Sequence, residues 1–240
     1  MATRNEELTV WERPQPTRRP VVAKLSRETI VKAAMKLADK EGLEAVSLRN
    51  VGSALGAGAM RLYGYVDTKD ELLELMVDEV YGQILERKPL KVRGLRKVLT
   101  GIADQLRWAA REHGWFVELL AGRSPVGPHA LAHLEATLTA LRPEVRSVDD
   151  AMRALRAVKA YALGALHSEA GDLRARVETG KDKDEWRAAH WPYLQRAFAG
   201  GKLPMVEAFV REGRHLSEEA AFDDGLDYVI AGVEARLISR

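Results

Sequence analysis

The sequence contains no cysteine, which excludes a disulfide framework, a thiol nucleophile and a cysteine-based zinc site. It also has no apolar run that approaches the length of a membrane span or of a signal-peptide core. These two absences predict a cytoplasmic protein that has no membrane partner.

Nothing in the sequence supports a catalytic or cofactor site. No nucleophile-elbow motif is present, which argues against a hydrolase. The run Gly56-Ala57-Gly58 lacks the third glycine and the preceding strand of a dinucleotide loop. His129 and His133 are four residues apart and would share a helix face, but no well-spaced third ligand completes a metal site. We therefore expect no enzyme activity, no cofactor and no metal.

The composition fits a folded helical protein. With 240 residues, of which 46% are hydrophobic and 30% charged, the chain can bury a sizeable core as one elongated unit or as two parts. No segment alternates with period two for long enough to require a strand, so we predict an all-α fold. The net charge of +2 divides into +4 for residues 1–69 and −2 for residues 70–240, a mild positive excess in the first part.

Residues 1–24 are predicted to form an extended, mobile arm, because Pro14, Pro16 and Pro20 stand among polar and basic residues. Arg18 and Arg19 lie just before the first predicted helix. Such basic arms can reach the DNA minor groove, but the same charges would also suit a solvated tail. Both alternatives stay open at this stage.

The segment 47–69 has the layout of a helix-turn-helix DNA reader. Ser47 can cap a short helix that ends at Gly56, a residue able to adopt positive φ. A second helix is predicted over residues 60–66, with Arg61 and Tyr65 projecting away from its inner apolar stripe. Thr68 then opens a capping box before a longer helix. The alternative is a helical hairpin without a DNA role.

The remaining helices follow from apolar positions at helical spacing and from caps. They are predicted at residues 26–41, 72–86, 95–111, 115–121, 128–141, 147–177, 185–199 with an interruption near Pro192, 204–212, and 218–238. Residues 181–184 are predicted to form an exposed loop.

Residues 25–75 resemble the N-terminal domain of the tetracycline-repressor (TetR) family. The resemblance is carried, without a gap in spacing, by Ile30, Ala34, Leu37, Gly42, Ser47, Leu48, Arg49, Leu55, Gly56, Leu62, Tyr63, Lys69 and Leu72. Two positions depart from the family pattern, since Gly58 replaces a usual polar residue and Tyr65 replaces a usual histidine. The Trp-x-x-Pro-x-Pro arm and the His113-Gly114-Trp115 turn resemble a subgroup that often controls drug-export genes.

The resemblance implies a three-helix DNA-binding domain at 25–70 joined to a helical ligand-binding and dimerisation domain at 71–240. It implies a homodimeric repressor of double-stranded operator DNA that a small-molecule inducer, such as an antibiotic, releases. The dimer would form through helices at about 148–173 and 218–237, whose apolar positions are Ala154, Ala157, Tyr161, Ala165, Leu226, Val229, Ile230 and Val233. For each of these residues, burial in the core of one subunit is the alternative.

Three groups of residues are candidates for contacts. The family alignment gives Arg49, Met60, Arg61 and Gly64 as base readers, beside the small residues Gly58 and Ala59, which allow close approach. Hydroxyl and ammonium donors suited to phosphates are Ser47, Tyr63, Tyr65, Thr68 and Lys69. Aromatic and amphipathic residues suited to a ligand cavity are Trp108, Trp115, Phe116, His129, His133 and Tyr161.

A competing hypothesis is a helical small-molecule-binding or scaffold protein that no longer recognises DNA. A basic stripe that runs continuously from Arg49 through Arg61 to Lys69 in the folded dimer favours the repressor, whereas a buried Arg61 favours the alternative.

Overall fold

The computed structural model describes residues 9–16, 25–120 and 124–238. Within these ranges the chain forms eleven α-helices, two short 3-10 turns and no strand, which confirms the all-α prediction. The helices are α1 (Arg27–Glu41), α2 (Leu48–Ala54), α3 (Ala59–Leu62), α4 (Lys69–Arg87), α5 (Leu95–Glu112), α6 (Phe116–Leu119), α7 (Pro128–Leu141), α8 (Val148–Thr179), α9 (Lys183–Phe198), α10 (Pro204–Glu212) and α11 (Glu218–Ile238). No helix in the described ranges combines the length and apolarity needed to cross a membrane.

Side-chain caps fix the starts of the long helices. The hydroxyls of Ser47 and Ser147 accept hydrogen bonds from the backbone N–H groups of Asn50 and Asp150, each at 3.1 Å. Thr68 caps α4 in the same way, through the N–H of Glu71. Each cap satisfies a donor that the helix itself leaves unpaired, so these hydroxyl residues determine where the chain turns into a helix.

Helix α4 connects the two halves of the molecule. Helix α2 packs against both α1 and α3, and α1 also packs on α4. The same α4 packs along α7, while α5, α8 and α11 form the rest of the second half. Ile30, Leu62 and Leu72 are fully buried in the first half, and Leu99 and Ile230 in the second. Burying each of these side chains contributes about 1.5–3 kcal/mol, so both halves have a substantial core.

Three details of the helix predictions are wrong. The second helix of the reader is Ala59–Leu62 instead of 60–66, because a turn follows it in which Tyr65 and Val66 donate to the carbonyl of Leu62. Pro192 does not interrupt α9; the helix is exposed there, so water can satisfy the carbonyl that proline leaves without a donor. The loop before α9 is also shorter than predicted, since Asp182 already caps the helix.

The N-terminal prediction is wrong for residues 9–16. The N–H groups of Glu12 and Arg13 donate to the carbonyl of Thr9 at 3.0 Å, which closes a turn, and Val10 is only 3% exposed. Residues 10 and 13 therefore belong to a packed element. Arg18 and Arg19 lie outside the described residues.

Candidate nucleic-acid interface and ligand domain

The turn between α2 and α3 brings two backbones into contact. Gly56 has a φ of 61°, a conformation that favours glycine, and the N–H of Ala57 donates to the carbonyl of Gly52 at 2.8 Å. A Cβ atom on Gly52 would lie 2.8 Å from the carbonyl oxygen of Ala57 and 3.3 Å from the backbone nitrogen of Ala59. Only glycine fits at position 52. The sequence interpretation missed this residue, although a glycine inside a helix is a known signal of close packing.

One side of this helix pair is exposed and basic. Arg49 on α2 and Arg61 on α3 are exposed, and neither has an ion pair or side-chain hydrogen bond to another described residue. Met60 is 82% and Tyr63 48% exposed, and Lys69 is exposed at the start of α4. The candidates that the structure leaves exposed or half-buried on this part of the chain are Ser47, Arg49, Gly58, Ala59, Met60, Arg61, Tyr63, Gly64, Thr68 and Lys69. We call this surface the reading face.

Tyr65 does not belong to the reading face. It is 8% exposed and packs in the core, so the prediction that it projects outward to a phosphate is wrong. The physical reason is the early end of α3, which changes the direction of residues 63–66. The backbone carbonyl of Tyr65 instead accepts a hydrogen bond from Nε of Arg27 at 2.9 Å, which ties the turn to the start of α1.

Ser47 and Thr68 can cap a helix and contact a phosphate at once. Each hydroxyl oxygen accepts from a backbone N–H, at Asn50 and Glu71 respectively. A hydroxyl carries one hydrogen to donate and two lone pairs, so capping leaves the donor available. The predicted phosphate role is therefore compatible with the structural role of both residues.

The end of α1 is attached to the turn before α6. One carboxylate oxygen of Asp39 accepts from the indole Nε1 of Trp115 at 2.7 Å and lies 2.9 Å from Nδ1 of His113. The other ring nitrogen of His113 faces the amide oxygen of Gln83 on α4 at 3.1 Å. Trp115 is 4% exposed, and its polar atom is engaged with the DNA-reading half. Local sequence patterns do not indicate this pairing, because its partners are 74 or more positions apart.

A buried carboxylate of α4 caps α7. Asp78 is 3% exposed, and its oxygens accept from the backbone N–H groups of Ala130 at 2.8 Å and of His129 at 3.3 Å. Nδ1 of His129 lies 3.1 Å from the same carboxylate. A negative charge at a helix N-terminus is favoured by the unpaired N–H groups and by the helix dipole. The arrangement joins α4 to α7 and gives His129 a partner other than His133.

Three of the six ligand candidates come together around Tyr81 of α4. The ring centroid of Tyr81 lies 5.6 Å from that of Phe116 and 5.1 Å from that of His133, and Trp115 lies 6.5 Å from Phe116. Burial, and secondarily the charge of Asp78, raises the pKa of the Tyr81 hydroxyl. These rings form one continuous cluster between α4, α6 and α7.

Trp108 and Tyr161 lie elsewhere. Trp108 is half-buried and faces the guanidinium of Arg87 at 5.9 Å. The hydroxyl of Tyr161 donates to the carbonyl of Phe222 at 2.8 Å, so this residue joins α8 to α11. Burial is also the first cause of the raised pKa of Tyr161. The structure therefore divides the predicted ligand set into one cluster and separate positions.

Buried and half-buried polar groups surround His133 of the cluster. Nε2 of Gln105 donates to the carbonyl of Lys88 at 2.5 Å, which leaves its amide oxygen to accept from Nε2 of His133 at 2.9 Å. Burial, and then the charge of Lys159, lowers the pKa of His133 from 6.5 to about 4. Burial also lowers the pKa of Lys159. The hydroxyl of Thr137 is fully buried and has no hydrogen-bond partner among the described residues. Such groups would suit a polar ligand in the interior.

Two family models match most of the chain. "Bacterial regulatory proteins, tetR family" matches residues 30–76, and "Tetracyclin repressor-like, C-terminal domain" matches residues 88–237. The first range contains the reading face, and the second contains Trp115, Phe116 and His133 of the aromatic cluster.

Individual relatives match over nearly the full length. The chain is 32% identical to the HTH-type transcriptional repressor DrrR1 of Streptomyces coeruleorubidus, over 95% of this chain and 81% of that protein. It is 28% identical to the class E tetracycline repressor protein of Escherichia coli, over 90% and 94%. Apo ActR of Streptomyces coelicolor superposes with a TM-score of 0.74 at 24% identity, over 90% and 97%. ActR in complex with actinorhodin superposes with a TM-score of 0.72 at 22% identity, over 90% and 98%.

His133 should make stability depend on pH between its folded and unfolded pKa values. Between about pH 4 and 6.5 the unfolded chain binds a proton that the folded chain does not, so the free energy of unfolding falls as the pH falls through this window. The expected slope is about 1.4 kcal/mol per pH unit. Denaturant unfolding of the parent and of His133→Gln at several pH values measures it. The variant should lose this part of the slope, and identical pH profiles for the two proteins would contradict the assignment.

Proposed function

The chain belongs to the TetR family of transcriptional regulators, and from this premise we propose that it is a homodimeric repressor that a small-molecule ligand releases from its operator. It is a regulator and not an enzyme. In this proposal it acts in the cytoplasm, on the operator of a drug-export gene or a related one. The names of its relatives, a Streptomyces repressor and tetracycline repressors, support that class of target.

The observation that carries the DNA-binding proposal is the pair of exposed, unpartnered arginines on the reading face. Arg49 and Arg61 stand on the two helices that Gly52 holds together, and no described side chain neutralises them. A buried Arg61 would have favoured the competing hypothesis, a protein that no longer recognises DNA, and Arg61 is exposed. An arginine can pair with both O6 and N7 of guanine, which suits base reading in the major groove.

Other residues of the reading face would fix the protein on the DNA backbone. In the proposal Ser47, Tyr63, Thr68 and Lys69 contact phosphates, while Gly58, Ala59 and Gly64 let the chain approach closely. The side chain of Lys69, at the start of α4, reaches the segment after α1, where its Nζ lies 3.5 Å from the carbonyl oxygen of Leu43.

The ligand site is proposed in the interior between α4, α5, α7 and α8. The aromatic cluster supplies apolar surface, and His133, Gln105 and Thr137 supply polar atoms, of which the Thr137 hydroxyl is unsatisfied without a ligand. A ligand that enters must separate α7 from α4 or α5. That movement would reach the reading face through Asp78, which caps α7 from α4, and would change the separation of the two reading faces in the dimer.

The dimer is proposed to form along α8 and α11. Between these helices lies a groove of about 740 Å³ lined by Ala154, Ala157, Val229, Gly232 and Val233, with arginines and Asp150 at its ends. Small residues permit close helix approach, and a twofold interface uses the same patch of each subunit. Of the predicted interface residues, Ala154, Leu226 and Ile230 are buried within one subunit, while Ala157, Val229 and Val233 are half-buried and available.

The apolar surface of α9 and α10 adjoins this interface. Trp186 and Tyr193 of α9 and Phe209 of α10 are each more than half exposed, around a cleft of about 490 Å³. Nζ of Lys183 pairs with Asp172 of α8 and with Glu218 of α11, which anchors the base of α9 to the two proposed interface helices. We include this surface in the proposed contact with the second subunit.

DNA fragments selected from a random pool by the parent protein test the function directly. The parent should select one consensus with two related half-sites. Arg49→Ala and Arg61→Ala should each relax the preference at one position per half-site, where a lost arginine–guanine pair is worth about 1–3 kcal/mol of discrimination. Arg93→Ala, which removes an exposed arginine between α4 and α5, serves as the charge-matched control.

Two outcomes would contradict this proposal at different levels. Weaker binding with an unchanged consensus would mean that the arginine in question contacts phosphates and does not contact base edges. A parent protein that selects no consensus would contradict the repressor itself. Adding actinorhodin, the ligand of the structurally similar ActR, to the selected complex probes release, and a ligand that weakens DNA binding must bind the DNA complex more weakly by the same factor.

The dimer groove is tested by placing a charge in it. Val233→Glu would bury a carboxylate against its twofold mate, and the dimer dissociation constant should rise at least about 100-fold. Analytical ultracentrifugation over a concentration series measures this change. Val92→Glu, at a 42% exposed valine outside α8 and α11, should leave the constant unchanged. A Val233→Glu protein that dimerises like the parent would remove the groove from the interface.

A further inference from the structure

We propose that residues 9–16 form a strap that holds the reading face in position relative to the ligand domain. Arg13 attaches one end of the strap to the start of α4, and Trp11 attaches the other end to the segment before α7. Both are positioning residues, because they act on DNA binding through α4. The regulatory role of the strap rests on the proposed ligand control. The connection that the strap makes between the two halves does not depend on that proposal.

The strap has its own local structure. Besides the two backbone hydrogen bonds to the carbonyl of Thr9, the carboxylate of Glu12 accepts from the backbone N–H of Thr9 at 3.2 Å and from its hydroxyl at 2.8 Å. These bonds close one turn around Val10 and Trp11. Val10 is 3% exposed and joins the main core, so the turn is anchored by apolar burial as well as by polar contacts.

Arg13 holds the first turn of α4. Its guanidinium pairs with Asp67 and, through Nη2, with Oε2 of Glu71 at 2.6 Å. The same oxygen of Glu71 accepts from the backbone N–H of Asp67 at 2.8 Å. Glu71 therefore does not complete the capping box predicted with Thr68; it receives Arg13 and the N–H of the residue before the cap. This joint lies directly after the turn that follows α3.

The protonation of this joint is stable near neutral pH. The hydrogen bond to Glu71 is the first cause of the raised pKa of Arg13. Burial alone would raise the pKa of Glu71, but the hydrogen bonds from Asp67 and Arg13 and the charges of Arg13 and Arg27 outweigh it and hold the pKa below its ordinary value. Both partners thus stay charged at neutral pH, and the strap remains closed there.

The end of the strap reaches the reading half at two more points. The side-chain oxygen of Gln15 accepts from the backbone N–H of Arg27, the first residue of α1, at 3.2 Å. Cγ of Pro16 lies 3.2 Å from the position that a Cβ atom on Gly64 would occupy. Residues 13–16 therefore lie against the start of α1, the turn after α3 and the start of α4.

Trp11 makes the contact with the ligand domain. It forms a wall of a cavity of about 190 Å³ with Leu73 and Val77 of α4, Leu119 of α6 and residues 124–127. A Cβ atom on Gly127 would lie 2.8 Å from Cη2 of Trp11 and would also collide with the carboxylate of Asp78. Trp11 thus rests at the point where Asp78 caps α7, and only glycine at position 127 leaves room for both.

The consequence is a second connection between the two halves, parallel to α4. If α7 shifts relative to the start of α4, either Trp11 must slide from Gly127 or Arg13 must leave Glu71. The strap therefore stabilises the arrangement seen here and biases the protein toward one position of the reading face.

Hydrogen exchange of the full-length, ligand-free protein tests the connection. One end of the strap is altered and amide exchange is measured at the other end, which we call a crossed effect. Arg13→Gln changes the reading end and should speed amide exchange at residues 127–131, at the far end. Trp11→Ala changes the far end and should speed exchange at residues 65–67, which do not border the cavity of Trp11. Each increase should be about twofold to fivefold, the factor that matches the loss of one partly exposed ion pair. Arg93→Gln, which removes an exposed charge between α4 and α5, is the control and should change neither region.

Conservative variants separate positioning from folding. Trp11→Phe keeps an aromatic wall and Arg13→Lys keeps the charge, and both should restore part of the protection. If Trp11→Ala does not fold, Trp11→Phe and Arg13→Gln give the same crossed comparison. Exchange that increases only at the altered end, or at neither end, would overturn the strap.

DNA binding distinguishes failure of the strap from failure of the proposed function. With the duplex that the parent selects, Arg13→Gln and Trp11→Ala should bind about twofold to fivefold more weakly, with an unchanged consensus. Crossed exchange effects in a protein that selects no DNA would leave the strap standing and contradict the repressor. If the parent selects DNA but the strap variants show no crossed effect, the repressor is supported and the strap is contradicted.

Discussion

The structure depends most on the Asp78 carboxylate that caps α7 from the middle of α4. It is 3% exposed, and it meets two backbone N–H groups of α7 and the ring of His129. Gly127 has no side chain to cap the helix that it precedes, so α7 takes its cap from another helix. Because α4 also begins directly after the reading face, this one carboxylate relates the ligand domain to the DNA-reading half. A buried charge of this kind is costly to move, which makes the α4–α7 contact a firm reference for the rest of the molecule.

Two further attachments surround this contact. Asp39 joins the end of α1 to His113 and Trp115, and the strap joins the start of α4 to Gly127. The proposed ligand site, beside Tyr81 and His133, lies between the same helices. A ligand that separates α7 from its neighbours would thus act on all three attachments together, which provides a physical route from the interior to the reading face. The contacts of Asp78, Asp39 and Arg13 are short and polar, so a small displacement can break them and change the preferred arrangement.

Local signals predicted much of the fold, and long-range pairs account for most of what the sequence could not predict. The caps at Ser47, Thr68 and Ser147 and the hinge at Gly56 depend on neighbours within a few residues, and the structure has them at those positions. Tyr65 was misplaced because α3 ends earlier than its apolar pattern indicated. Trp11, Arg13, Asp39 and Asp78 gain their roles from partners 50 or more positions away, and the indole of Trp115 donates to a carboxylate 76 positions away. Composition and spacing carry no information about such pairs.

The central claim is that the Asp78 contact sets the position of the reading faces in the proposed homodimer, and a distance measurement between the two subunits tests it most directly. The absence of native cysteine allows a single spin label at Lys36→Cys, an exposed position on α1. Pulsed electron paramagnetic resonance then gives the label-to-label distance distribution in the homodimer. Asp78→Asn, which keeps the shape but removes the charge, should broaden or shift this distribution, while Asp149→Asn at an exposed site should not. Superimposable distributions for the labelled parent and the folded Asp78→Asn protein would contradict the claim.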